Sequence, residues 1–188
     1  TYVAYDGQLL LTGDETSGAA DTGACIQFYG HDGGSSRGLG NIRCLLENGT
    51  SGNHNSYMAF YTRTNASNPA ERLRITSAGD LGLGINNPAR HFHLHVDSST
   101  ANYQLFTNST TGSNNNDGLL LGITAAEEAL FWNYENTPSR FATGGTERMA
   151  ITSTGQVNIG GDYTQTTYTM KVTGSFAATT KSFVIDHP

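Results

Sequence analysis

Residues 91–95 read His-Phe-His-Leu-His, the stretch of this sequence whose residue types and spacing best suit metal chemistry. In an extended chain alternate side chains share a face, so His91, His93 and His95 are expected in a row on one side of a strand. Imidazole suits iron, zinc and nickel. The other side, Phe92, Leu94 and Val96, is expected to hold the core. A second copy of the same region, described below, carries Thr167, Thr169 and Lys171 where the histidines stand. A solvated polar stripe is therefore the default reading, and metal binding by His91, His93 and His95 is the sharper alternative.

Trp132, Tyr134 and Phe141 are the candidate binding residues, because aromatic rings in polar surroundings stack on sugars or partner surfaces. The same rings also fit packing between chains. Catalytic combinations are weaker. Asp32 follows His31 and Asp186 precedes His187, and neighbours in an extended chain point to opposite faces. Gly82-x-Gly84 leads into no helix and is not a phosphate loop. The chain is not expected to be an enzyme or to carry a cofactor. Asn48, Asn65 and Asn108 open N-x-S/T triplets, which chance supplies in so Asn/Ser/Thr-rich a chain. Glu71-Arg72 and Glu147-Arg148 offer ion pairs between chains or simply solvated charge.

What positions these residues is an internal repeat. The run from Glu71 to Gly84, ERLRITSAGDLGLG, returns from Glu147 to Gly160 as ERMAITSTGQVNIG, with half of the positions identical. The match continues without a gap to Leu94-His95-Val96 against Met170-Lys171-Val172. The openings also correspond, Asp6-Gly7-Gln8-Leu9-Leu10-Leu11 against Asp117-Gly118-Leu119-Leu120-Leu121-Gly122. The sequence thus predicts a first β module over residues 1–100 with an insertion over about 18–53, a second over 101–175, and a C-terminal segment beginning at 176–188.

Each copy reads as β structure. Arg72-Leu73-Arg74-Ile75-Thr76 alternates with the period of a half-buried strand. Ser77-Ala78-Gly79-Asp80 then supplies a turn with Gly where positive φ is needed. Leu81, Leu83 and Ile85 resume the alternation opposite Gly82 and Gly84, whose bare face lets another backbone approach. Asn86-Asn87-Pro88 ends that strand. Thr124-Ala125-Ala126-Glu127-Glu128-Ala129 reads as a turn leading into Leu130-Phe131-Trp132-Asn133-Tyr134, which matches Tyr57-Met58-Ala59-Phe60-Tyr61. Cys25 and Cys44 read as half-buried free thiols.

Composition points the same way. Hydrophobic residues make up 36% and charged residues 14%, with 23 Gly, against roughly 45–50% and about 25% in ordinary domains. Nine Tyr and eight Phe argue for a folded chain with a thin core. Such short alternating units bury their faces against a neighbouring repeat or another chain. A net charge of −6 without a basic cluster excludes nucleic acid as the expected partner. No apolar run approaches the roughly 20 residues that cross a bilayer, so no membrane insertion is expected. Thr1-Tyr2-Val3-Ala4-Tyr5 does not read as a signal peptide, and the chain reads as a fragment or processed piece.

The repeated Glu-Arg-Leu/Met-x-Ile-x-Ser-x-Gly motif, followed in the first copy by Asn-Pro and Leu-His-Val, resembles a module of phage tail-fibre proteins and related bacterial trimeric adhesins. Phe28-Tyr29-Gly30-His31-Asp32-Gly33 and Glu47-Asn48-Gly49-Thr50-Ser51-Gly52 resemble its upstream part. Asp162-Tyr163-Thr164 departs from it where Asn86-Asn87-Pro88 would stand. The resemblance implies an all-β, elongated homotrimeric fibre, intertwined or prism-like, on a virion and attaching to a host-surface glycan or receptor. A bacterial surface or secreted filament is one alternative, and a glycan-degrading tailspike is another. It also implies that Lys181–Pro188 begin a C-terminal module, in such proteins often a self-cleaving chaperone. In some fibres of this kind a His-x-His pair from each of three chains surrounds an axial iron.

Overall fold

A computed structural model describes residue 11 and residues 18–161 and 163–176. The opening match over Asp6–Leu10, the turn residue Asp162, the Asp186-His187 pair and the closing segment from Lys181 lie outside the described residues. Among the described residues there are thirteen strands in three sheets and no helix. The chain divides between Asn102 and Tyr103 into two compact units.

The first unit is one six-stranded sheet in chain order: β1 (Gly23–His31), β2 (Ser36–Leu46), β3 (Ser56–Thr62), β4 (Ala70–Ile75), β5 (Leu81–Leu83) and β6 (Phe92–Leu94). The first five strands form an antiparallel meander, and β6 then joins β5 in parallel. The segment 84–91 makes that parallel return by a close backbone passage. Gly84 has φ +78°, and a Cβ there would lie 2.1 Å from the His95 carbonyl oxygen. A Cβ on Gly82 would lie 2.4 Å from the Ile85 carbonyl. The bare glycine face is thus filled by the chain's own backbone.

The second unit has a three-stranded sheet, β7 (Asn102–Phe106), β8 (Leu119–Ile123) and β9 (Ala129–Asn133), and a four-stranded one. The latter comprises β10 (Ser139–Thr143), β11 (Thr146–Ile151), β12 (Val157–Ile159) and β13 (Met170–Val172), again with the last pair parallel. It reproduces β3–β6. Both carry a bulge in the first pairing, leaving Arg72 or Arg148 as the extra residue. The Nε of each extra arginine donates at 3.1 Å to a threonine hydroxyl at the end of the preceding strand, Thr62 or Thr143.

Two sequence correspondences are corrected by this register. Leu130–Tyr134 belongs to the three-stranded sheet, and the counterpart of β3 is β10, joined to β11 by the tight turn Gly144-Gly145. The ungapped match also slips at the last strand. Leu81 pairs with Phe92 whereas Val157 pairs with Met170, so Phe92 corresponds to Met170 and His93 to Lys171. The connection 160–169 is two residues longer than 84–91. The extra length accompanies Asn158, which replaces Gly82 and is fully buried, its Nδ2 donating to the Gln165 carbonyl at 3.2 Å. A slip of two preserves the faces, which is why the alternation still matched.

Candidate functional site

Cross-strand pairing gathers the apolar residues of the first unit into two rows. Ala24, Cys44, Met58, Ile75, Leu81 and Phe92 form one; Ile26, Ile42, Phe60, Leu73, Leu83 and Leu94 form the other. Partners in register point to the same side, so both rows lie on one face. Neither contains a charged residue, and none of the twelve side chains is buried. Met58 is 44% exposed and Phe92 52%. Within one chain, then, Phe92 and Val96 are exposed and Leu94 is only partly covered, so the side expected to hold the core is an open apolar face among the described residues.

The four-stranded sheet of the second unit repeats the arrangement. Its rows are Ser139, Ile151, Val157 and Met170, and Phe141, Met149, Ile159 and Val172. Phe141, Ile151 and Met170 are exposed. Seven of these eight positions are apolar, and they match apolar positions of the first unit.

The buried side of the first sheet is the polar one. Leu45, Tyr57 and Ala59 form its core, with Tyr61 packed against them. Arg74 lies over the Tyr57 ring at 3.6 Å and Arg43 over Tyr61 at 4.2 Å. Arg74 donates from Nε and Nη2 to both oxygens of Glu71 at 2.7 and 2.8 Å, and the Tyr61 hydroxyl donates to Glu71 Oε2 at 3.0 Å. The Tyr57 hydroxyl donates to Asp21 at 2.7 Å. Burial, and then the bond to Asp21, push the Tyr57 phenol well above its ordinary range. Burial and the Glu71 carboxylate raise Tyr61 as well. Long arginine stems and flat rings thus shield this face within one chain.

The equivalent cross-strand row shows why Arg74 became Ala150. In the first unit it reads Ala59, Arg74, Gly82, His93; in the second, Arg140, Ala150, Asn158, Lys171. The arginine has crossed to the neighbouring strand, where Arg140 pairs with Glu147 as Arg74 pairs with Glu71. Both ion pairs form within a chain, and neither uses the adjacent Arg72 or Arg148.

The predicted site residues are distributed as follows. His91 is 94% exposed at its side chain, and its Nδ1 lies 2.6 Å from Asp80 Oδ1. His93 Nδ1 accepts from the Ala89 backbone N–H at 3.2 Å, and the His95 ring meets it edge-on at 6.0 Å. Among the described residues no group of three or more His, Cys, Asp or Glu side chains is arranged to hold a metal ion. Trp132 and Tyr134 come together, with ring centroids 6.1 Å apart, while Phe141 lies 6.0 Å from Phe131 and in an apolar row. Asp32 closes its own loop, accepting from the Ser35 backbone, from Arg37 and from the Gly34 backbone, and these bonds hold its carboxyl at about 2. Cys25 and Cys44 are free, and both are exposed. They sit on opposite faces, because Cys44 pairs with Ala24, the neighbour of Cys25.

Sequence reading missed Cys44, Met58 and Ile42 as members of an open apolar face. The signal was present in the alternation of Ile42 with Cys44 and of Met58 with Phe60, but alternation does not say which face stays open. No family model matches the chain, and no curated protein matches it significantly.

Proposed function

We propose that this chain is a structural and adhesive segment of a homotrimeric phage tail fibre, whose β modules pack between chains and whose surface loops meet the host. The observation that carries this reading is that two successive units repeat one sheet motif with its apolar face open. Its buried apolar residues, by contrast, are few: Leu45, Tyr57, Ala59, Leu120 and Ala150 among the described residues. A core this small gives a single chain little stability of its own, and an open apolar sheet face in water is an association surface. Exposed Trp132 and Tyr134 offer paired rings for a glycan or receptor.

Negative-stain images of the purified protein, with binding to a panel of bacterial surfaces, test this reading. Elongated particles that adsorb to a bacterial surface and leave its polysaccharide intact are expected. Isolated compact particles of one chain would overturn it, and polysaccharide cleavage would replace it with the tailspike alternative.

A further inference from the structure

Resting on the homotrimer reading, we infer that the contact between copies is the two-row apolar face, with Cys44 inside the interface and Cys25 outside it. The occupant is a second and third copy of this chain. The two repeats themselves separate the faces. Where Leu73, Phe92 and Leu94 stand in one unit, Met149, Met170 and Val172 stand in the other, so apolarity persists at every row position but Ser139 while side-chain shape drifts. On the reverse face, by contrast, charge appears and disappears from one unit to the next. A surface held apolar without fixed shape fits packing against like surfaces.

The chemistry disfavours a charged occupant. A charged segment laid on rows without a charged residue would lose its hydration with nothing to replace it. A like apolar face loses nothing, and cyclic symmetry brings identical faces to a common axis. The extent is that of an association patch within one unit. The exposed row members of the first unit, Ile26, Cys44, Met58, Ile75, Leu83 and Phe92, leave on the order of 500 Å² open, the size of patch that marks an interaction surface.

The two native cysteines report on the assignment, because both are exposed in the single chain and they stand on opposite faces. The intact protein is treated with a maleimide reagent, its mass is measured in parallel, and modification at each cysteine is followed by peptide mass. Cys25 is expected to react promptly and Cys44 at least about 100-fold more slowly, as a group reached only by local opening, with the difference lost in denaturant. A trimer whose Cys44 reacts as fast as Cys25, or whose Cys25 is the protected one, overturns the face assignment and leaves the fibre reading intact. A monomer overturns both. Met58→Glu supplies a second readout: the trimer is expected to dissociate, and an unchanged mass would refute the assignment.

Discussion

Arg74 and Arg140 do the same work at equivalent rows of two repeats, under different burial, and their comparison is a test internal to one molecule. Arg74 has a side chain 15% exposed, bonds both oxygens of a Glu71 that is 16% exposed, and stacks on Tyr57. Arg140 is 51% exposed and reaches one oxygen of Glu147. Breaking a fully buried pair costs roughly 3–5 kcal/mol, and an exposed pair is worth about 0–1. Arg74→Ala also removes a partly desolvated cation–π contact worth about 1 kcal/mol. Allowing for the residual exposure of Arg74, its loss is expected to cost about 2–4 kcal/mol. Arg140→Ala is expected to cost less, about 1–2 kcal/mol, because Arg140 itself is half exposed although Glu147 is largely covered and its Oε1 is buried without a partner among the described residues. The assay is urea unfolding of each single and double variant at fixed chain concentration, giving a coupling energy for Arg74 with Glu71 and for Arg140 with Glu147. Equal couplings, or a larger one for Arg140, would refute the assignment of the polar face as the buried side of the first sheet.

Three further outcomes are expected. The turns Thr76–Asp80, Thr124–Glu128 and Thr152–Gln156 share the same two backbone bonds and a threonine hydroxyl that accepts from the fifth residue. Their positive-φ residues are Gly79, Glu127 and Gly155. Glu127→Gly relieves about 1–2 kcal/mol of left-handed strain against about 0.5–1 of added chain entropy, so the urea midpoint should rise slightly; a clear fall would contradict the shared geometry. Gly84→Ala, whose Cβ would collide with the His95 carbonyl, should be far more damaging than Gly79→Ala, which meets open space, and equal effects in thermal unfolding would count against the close backbone passage beside β5. On acidification, Asp32 is held at about 2 against an ordinary 3.8, and Glu47 is held below 4.5 by the backbone and hydroxyl of Ser77. Depressed carboxylates contribute stability above their unfolded values and lose it as pH falls through the folded ones. The unfolding midpoint should therefore drop between about pH 4.5 and 2, and the Asp32→Asn, Glu47→Gln double variant should drop less; an identical acid limb would exclude these two groups as the cause.

Much of the fold was legible because strand period and turn chemistry are local. The alternation from Arg72 to Thr76 and the glycine at 79 specify a hairpin without help from distant residues, and the Ala/Glu stretch at 124–129 is the turn its length indicated. What stayed hidden depends on partners remote in sequence. The move of arginine from β4 to β10 is invisible until the strands are laid side by side, since Arg74 facing Ala150 looks like a plain loss. The slip at β13 hid because a two-residue shift leaves Met170 and Val172 in phase. Leu130–Tyr134 imitated Tyr57–Tyr61 because two different strands share an aromatic, apolar pattern. The face of the histidine stripe was legible, but its neighbours were not: Asp80 and the Ala89 backbone take up His91 and His93. Openness of the opposite face is a property of the whole sheet, as the polar side covers itself with Tyr and Arg stems while, among the described residues, none covers the apolar side.

Association of three copies is most directly tested by the solution mass of the purified protein, measured by light scattering across a range of concentrations. Three times the 20.0 kDa of one chain is the predicted result. A folded species that stays at 20.0 kDa at every concentration would contradict it.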